Sequence, residues 1–183
     1  VTAIAAGLDF DMALRTDGTV VAWGANGFGQ TNVPAGLTNV VAISAGDLHG
    51  LALKGNGTVV GWGYNWGGQT NVPPDLTNAM AIAGGSLFSM ALRNDGTVVT
   101  WGDNTLGQTD LPAGLSGVKT IAAGGAHALV TLFSSLVQYP VDVSKDLLLI
   151  YNTNSTESRF VKDYYLAHRP MVTSANVLGI GCT

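Results

Sequence analysis

The sequence predicts an all-β repeat array followed by a short α/β extension, and three observations carry that expectation. A phrase written DGTVVAWGANGFGQTNVP at 17–34 returns as NGTVVGWGYNWGGQTNVP at 56–73 and as DGTVVTWGDNTLGQTDLP at 95–112, a period of 39 residues. Each copy opens on Asp-Gly or Asn-Gly, dipeptides that supply the positive φ angles of tight hairpins. The chain is rich in glycine (25 of 183 residues) and only 11% charged, against the usual ~25%. That composition suits many short strands joined by Gly-rich turns.

The period divides the chain into units 1–39, 40–78 and 79–117, with a partial fourth from Val118 to about Leu132. Trp23, Trp62 and Trp101 fall on it, as do Gly7, Gly46, Gly85 and Gly124, and Gln30, Gln69 and Gln108. In each unit an apolar run such as VVAISAG reads as a first strand. A second follows a Gly break (HGLALK), and a third follows the hairpin dipeptide (TVVGWG). The GQTNVP segment reads as a loop or an edge strand, since proline cannot donate to a central ladder. One unit is therefore three or four antiparallel strands. A sheet that small cannot bury both apolar faces alone and has to stack on its siblings. Radial stacking gives a propeller and linear stacking a solenoid, and the period allows either.

The phrases AIAAG and ALR.DGTVVAWG.N..GQT.VP resemble repeats of the RCC1 family over residues 1–132. The wording WG.N..GQT.VPAGL is especially similar to bacterial secreted members of the β-lactamase inhibitory protein II type. The resemblance implies a partial RCC1-like β-propeller, three blades plus a fragment. Family members exchange nucleotides on small GTPases, bind chromatin or inhibit enzymes, so fold alone does not hand over function. The family ring has seven blades. The expectation is that two copies close a ring or that the chain is a piece of a longer protein; a start at Val1 points to processing or a cut.

Positions that vary between units are the candidate site. One set follows the first strand: LDF at 8–10, DLH at 47–49, SLF at 86–88 and GAH at 125–127. The other follows the Trp-Gly pair: Ala25, Gly27 and Phe28; Tyr64, Trp66 and Gly67; Asp103, Thr105 and Leu106. On a propeller both sets crowd one face. Phe28, Tyr64, Trp66, Phe10 and Phe88 are the candidate partner-binding residues, because loop aromatics anchor interfaces. The plainer alternative is that they pack between blades. Phe10, His49, Phe88 and His127 share one slot, which argues for a structural histidine bonded to the neighbouring blade rather than a ligand or a base. Asp9 and Asp11 are too few for a calcium loop. The three tryptophans are expected in the core between blades, and the three glutamines on loop backbone groups.

From Phe133 the pattern changes, and 133–183 reads as an α/β extension or a truncated second domain. DLLLIYN (146–152) is a strand, NSTE (154–157) a near capping box, SRFVKDYYLAHR a helix stopped by Pro170, and NVLGIG (176–181) a second strand. The tail resembles the start of an uncharacterised family of bacterial exported α/β proteins, in which YN..S..S.....YY...R leads into NV.GI.

Residues 1–132 hold eight acids and four bases, which carry the whole formal net charge of −4. No basic stripe exists to neutralise phosphates, so nucleic acid is excluded as a partner. No apolar run approaches twenty residues, so no membrane-spanning segment is expected. Cys182 is the single cysteine, so no internal disulfide forms. No G-x-S-x-G or phosphate loop occurs, and no catalytic residue, cofactor or metal is expected. The sequence points to a non-enzymatic protein-binding or scaffold module, bacterial and secreted or at the cell surface. The alternatives are a structural spacer in a larger exported protein and an inhibitor of an enzyme.

Overall fold

The computed structural model describes residues 1–132 and the backbone of two further strands, 147–152 and 177–180. Units one to three each form a three-stranded antiparallel sheet, or blade. Blade one is β1 (Ala3–Ala6), β2 (Phe10–Leu14) and β3 (Val20–Gly24). Blade two is β4 (Val40–Ala45), β5 (His49–Lys54) and β6 (Val59–Gly63). Blade three is β7 (Ala79–Gly84), β8 (Phe88–Arg93) and β9 (Val98–Gly102). The GQTNVP segment that follows each third strand is a run of turns and adds no fourth strand.

The hairpin between the second and third strands is closed as the sequence predicts. Arg15 N–H donates to the Thr19 carbonyl at 2.9 Å. The Asp17 carboxylate accepts from the Thr19 amide (3.0 Å) and hydroxyl (2.7 Å). Asn56 with Thr58 and Asp95 with Thr97 repeat the arrangement. Gly18, at φ 76°, holds the left-handed turn position and offers its carbonyl to Val40 N–H of the next blade at 3.1 Å. Gly57 with Ala79 and Gly96 with Val118 make the same step, so each hairpin is tied to the sheet that follows it.

The core lies between blades. Phe10, Met12 and Leu14 of blade one pack with Val40, Ala52 and Trp62 of blade two. Leu51, Leu53 and Val59 pack with Ala79, Ala91 and Trp101. Phe88, Met90 and Leu92 pack with Val118, Ala128 and Val130 of the fourth unit. Each fully buried side chain of this kind is worth about 1.5–3 kcal/mol, and every one draws its cover from the adjoining blade. A single module would expose these faces to water.

The glycine that ends the first strand sets the blade spacing. A Cβ on Gly46 would collide with the carbonyl oxygen of Gly85 in the next blade and with the His49 ring. The ring three residues on lies against the same glycine in each unit, Phe10 on Gly7 and Phe88 on Gly85.

The tryptophans divide, correcting the expectation that all three are buried. Trp62 and Trp101 are 6% and 8% exposed, and their indole N–H groups donate to the carbonyls of Gln30 (3.0 Å) and Gln69 (2.8 Å) in the preceding blade. Trp23 is 50% exposed, because among the described residues no blade lies on its side of blade one.

The fourth sheet has the order β10 (Val118–Ala123), β11 (Ala128–Leu132), β12 (Leu147–Asn152) and β13 (Val177–Ile180). The first two strands continue the repeat. The third comes from beyond it. β12 pairs antiparallel with β11, Leu149 opposite Leu129, in the place β9 takes beside β8. β13 then adds in parallel, Val177 opposite Leu149, which is the strand pairing expected of the tail. The expected helix between them lies outside the described residues.

Candidate protein-binding face

Both variable sets stand at one end of the blades. The backbone fixes this: Ala25, Tyr64 and Asp103 N–H groups donate to the carbonyls of Asp9, Leu48 and Leu87 at 2.8, 3.0 and 2.9 Å. The loop after the first strand and the loop after the Trp-Gly pair are thereby joined, and the hairpins lie at the opposite end.

The post-Trp loops are stapled from within. Asn26 Nδ2 donates to Asn32 Oδ1 at 2.8 Å, and Asn26 Oδ1 accepts from Thr31 N–H. Asn65 with Asn71, and Asn104 with Asp110, repeat the link. The three buried glutamines turn inward as expected: Gln30, Gln69 and Gln108 Oε1 accept from the amides of Phe28, Gly67 and Leu106 at 2.9, 3.0 and 2.9 Å. The carbonyl side of Gln30 and Gln69 holds the next tryptophan. One residue thus braces its own loop and anchors the neighbouring blade. The backbone of such loops has little freedom left to lose on binding.

Phe28 is 53% exposed and Trp66 89%, with Tyr64 half-buried between them. Phe28 of blade one meets Tyr64 of blade two edge-to-face, ring centroids 4.9 Å apart at 69°. The structure adds Leu8 and Leu106, both exposed apolar residues on the same end. Phe10 and Phe88 do not belong to this face. They are 2% and 0% exposed, packed over Gly7 and Gly85 inside the inter-blade core. Their assignment as partner-binding residues is corrected: they vary within the repeat because the slot accepts either Phe or His.

That slot explains His49. Its ring is fully buried, and Nε2 lies 2.9 Å from Ser89 Oγ in blade three. Ser89 donates its one proton to the Gln69 carbonyl at 2.9 Å. The imidazole must therefore donate from Nε2, leaving Nδ1 as a lone pair with no partner among the described residues. Burial lowers its pKa from 6.5 to about 4, and the nearby Asp47 opposes part of the shift. The serine proton points away from the histidine and both groups are sealed, so this Ser–His pair is arranged to join blades and cannot activate a nucleophile. Sequence reasoning missed Ser89: it stands 40 residues after His49, but the other slot histidine, His127, has Ala167 at that spacing, so the pattern alone gives no rule. Phe10 and Phe88 have Gly50 and Ala128 there.

Asp47 accepts a hydrogen bond from Ser86 of the next blade, and Asp103 from Thr105 and from Gln108. Among the described residues no group of three or more His, Cys, Asp or Glu could hold a metal ion, and no helix is long and apolar enough to cross a membrane.

Comparison with known proteins agrees with this architecture. The regulator of chromosome condensation (RCC1) repeat matches residues 1–30, 40–69 and 81–108. No curated protein matches the chain. Among solved structures, Prp20p of Saccharomyces cerevisiae, described with its binding to Gsp1p and histones, superposes with a TM-score of 0.64 at 22% identity. The alignment covers 71% of this chain and 42% of that protein. The ectodomain of the Physcomitrella patens receptor kinase CR4 gives 0.59 at 32% identity, over 70% of this chain and 38% of that one. Human WBSCR16 gives 0.63 at 20%, over 80% and 51%. The chain thus spans about half the length, or less, of the structures it matches. Within residues 1–108 this chain thus carries three regulator of chromosome condensation (RCC1) repeats, each folded as one blade and stacked face to face.

Proposed function

We propose that this protein is a non-enzymatic binding or scaffold module that captures a protein partner on its loop end. The observation that carries the reading is the run of aromatic side chains, Phe28 against Tyr64 with Trp66 beyond, held out on stapled loops. Large aromatics displayed on rigid loops contribute contact area at low entropic cost, and they are the residue types that dominate binding energy at interfaces. We place the protein outside a bacterial cell or on its surface, with a spacer or arm of a larger exported protein and an enzyme inhibitor as the alternative roles.

Replacing Trp66 by alanine is expected to leave stability within about 0.5 kcal/mol of the parent, and replacing Phe28, which gives up its contact with Tyr64, to cost about 1 kcal/mol, while either weakens capture of the partner by tenfold or more. Calorimetric melting together with affinity measurement checks both halves. A melting point lowered by many degrees would show that these rings belong to the core.

A second reading has its own support. Val1, Ile4 and Trp23 leave the outer face of blade one apolar and exposed. In the other blades the equivalent tryptophan is closed by a glutamine carbonyl from a neighbour. A further blade from a second copy would cover that face and extend the ring. Light scattering is expected to give twice the chain mass at high concentration, and the Trp23→Ser variant the single mass. A parent that stays monomeric at all concentrations removes this reading.

A further inference from the structure

Charge is sorted between the two ends of the blades. All four basic side chains of residues 1–132 lie at the hairpin end. Arg15, Lys54 and Arg93 sit at the ends of β2, β5 and β8, beside the hairpin turns. Lys119 follows Val118, whose amide is tied to Gly96 of a hairpin. Asp75 is at this end too, paired with Arg93 at 2.9 Å, as are Asp17 and Asp95. The loop end carries Asp9, Asp47 and Asp103 and, among the described residues, no lysine or arginine.

The acids are interleaved with the aromatics. The slot that presents Tyr64 to Phe28 in blade two presents Asp103 in blade three. There its Cβ lies against Gly67, the residue after Trp66: a Cβ on Gly67 would stand 3.0 Å from it. Its Oδ2 accepts from the Thr105 hydroxyl and Gln108 Nε2 and its Oδ1 from the Thr105 amide, which leaves one lone-pair direction on Oδ1 for a ligand. Trp66 is 89% exposed, so both faces of its indole are open to a ligand. An open indole one residue from the glycine that Asp103 packs on, with no lysine or arginine at that end among the described residues, is suited to guanidinium or ammonium groups. The ring quadrupole attracts the cation over its face and the carboxylate takes its N–H donors.

We infer that the loop end receives an extended, Arg- and Lys-rich segment of a protein, seated with a cationic side chain over Trp66 and against Asp103. This rests on the loop end being the binding face and names the chemistry of what binds there. Polyanions, whether nucleic acid or an anionic lipid surface, meet the same carboxylates and are repelled.

The test uses the full 183-residue chain in two arms. In the first, labelled octaarginine is titrated at low and moderate salt against the parent and the Trp66→Ala, Asp103→Asn and Asp95→Asn variants. Melting curves confirm that each variant folds. Expected are binding that weakens as salt rises, a loss of about fivefold in each of Trp66→Ala and Asp103→Asn, and no change in Asp95→Asn, which removes a charge at the hairpin end. Equal effects of Asp103→Asn and Asp95→Asn mean diffuse charge attraction and overturn the inference, as does an unchanged Trp66→Ala. In the second arm a random peptide library on phage is selected on the parent and counter-screened on Trp66→Ala. Trp66-dependent peptides enriched in Arg and Lys support the inference. Trp66-dependent peptides without that enrichment overturn it and leave the binding face standing. No Trp66-dependent peptide overturns both.

Discussion

Phe88→Ala is expected to destabilise the fold by about 4 kcal/mol, within the range for a fully buried phenylalanine lost to a cavity. The ring is inaccessible to solvent and seated among Met90, Leu92, Val118, Ala128 and Val130, so its removal opens a void where blade three meets the fourth sheet. Collapse of that void is hindered, because the hairpin bond from Val118 to Gly96 and the loop bond from Ser86 to Gly125 hold the sheets at fixed spacing. Denaturant titration followed by tryptophan fluorescence and by circular dichroism measures the loss. Phe28→Ala is the matched comparison: the same residue type, half-exposed on a loop, where the loss is about 1 kcal/mol, chiefly the contact with Tyr64. A Phe88→Ala protein with an unchanged midpoint and a lost partner would restore Phe88 to the surface and overturn the core described above.

The contrast between these two phenylalanines marks what the sequence could carry. The period, the hairpin dipeptides and the inward glutamines follow from local chemistry that each unit repeats, and all were legible. Phe10 and Phe88 were misplaced because variation between units has two causes, contact with a partner and alternative ways of filling one core slot. Residue type does not separate them. The information lay at a spacing of 40 rather than 39. The slot is matched by a residue in the next blade, and among the described residues His49 is the one that faces a hydroxyl. Trp23 was misplaced for a different reason. Its burial depends on a neighbour, so the same letter is core in blades two and three and half-exposed in blade one. The third strand of the fourth sheet was read as a strand, but its docking beside β11 depends on a long-range pairing that no local pattern encodes. The charge sorting was legible in part: Asp9, Asp47 and Asp103 stand in the two loop sets assigned to one face, and Arg15, Lys54 and Arg93 stand beside the hairpin dipeptides.

Acidification should reveal the slot chemistry directly. His49 is neutral in the folded protein, with a pKa pushed down from 6.5 to about 4 by burial. Between those values the unfolded chain takes up a proton that the folded chain refuses, so stability rises with pH across this window. The contribution is complete above pH 6.5 and is lost progressively as pH falls toward 4, by about 3 kcal/mol for this one group. His127 is lowered by burial as well and acts in the same direction. The cause is specific: the Nδ1 atom that must accept the proton has no partner, so protonation places a cation and an unmet donor between two blades. Asp17 and Asp95, held below 3.8 by their threonine hydrogen bonds, lose their contribution only at more acid pH. They leave the histidine window clear. The informative variant combines His49→Phe with Ser89→Ala, which rewrites this slot as the Phe88–Ala128 pair that the next blade already uses. It removes the buried titration without leaving Ser89 Oγ to replace a lost donor. Equilibrium unfolding at pH 7, 6, 5 and 4.5 is expected to show a steep fall for the parent and a much shallower one for the double variant, whose residual slope reports His127. If parent and double variant fall in parallel, His49 is not the acid-sensitive element, and a buried, singly bonded imidazole between blades two and three cannot be its state.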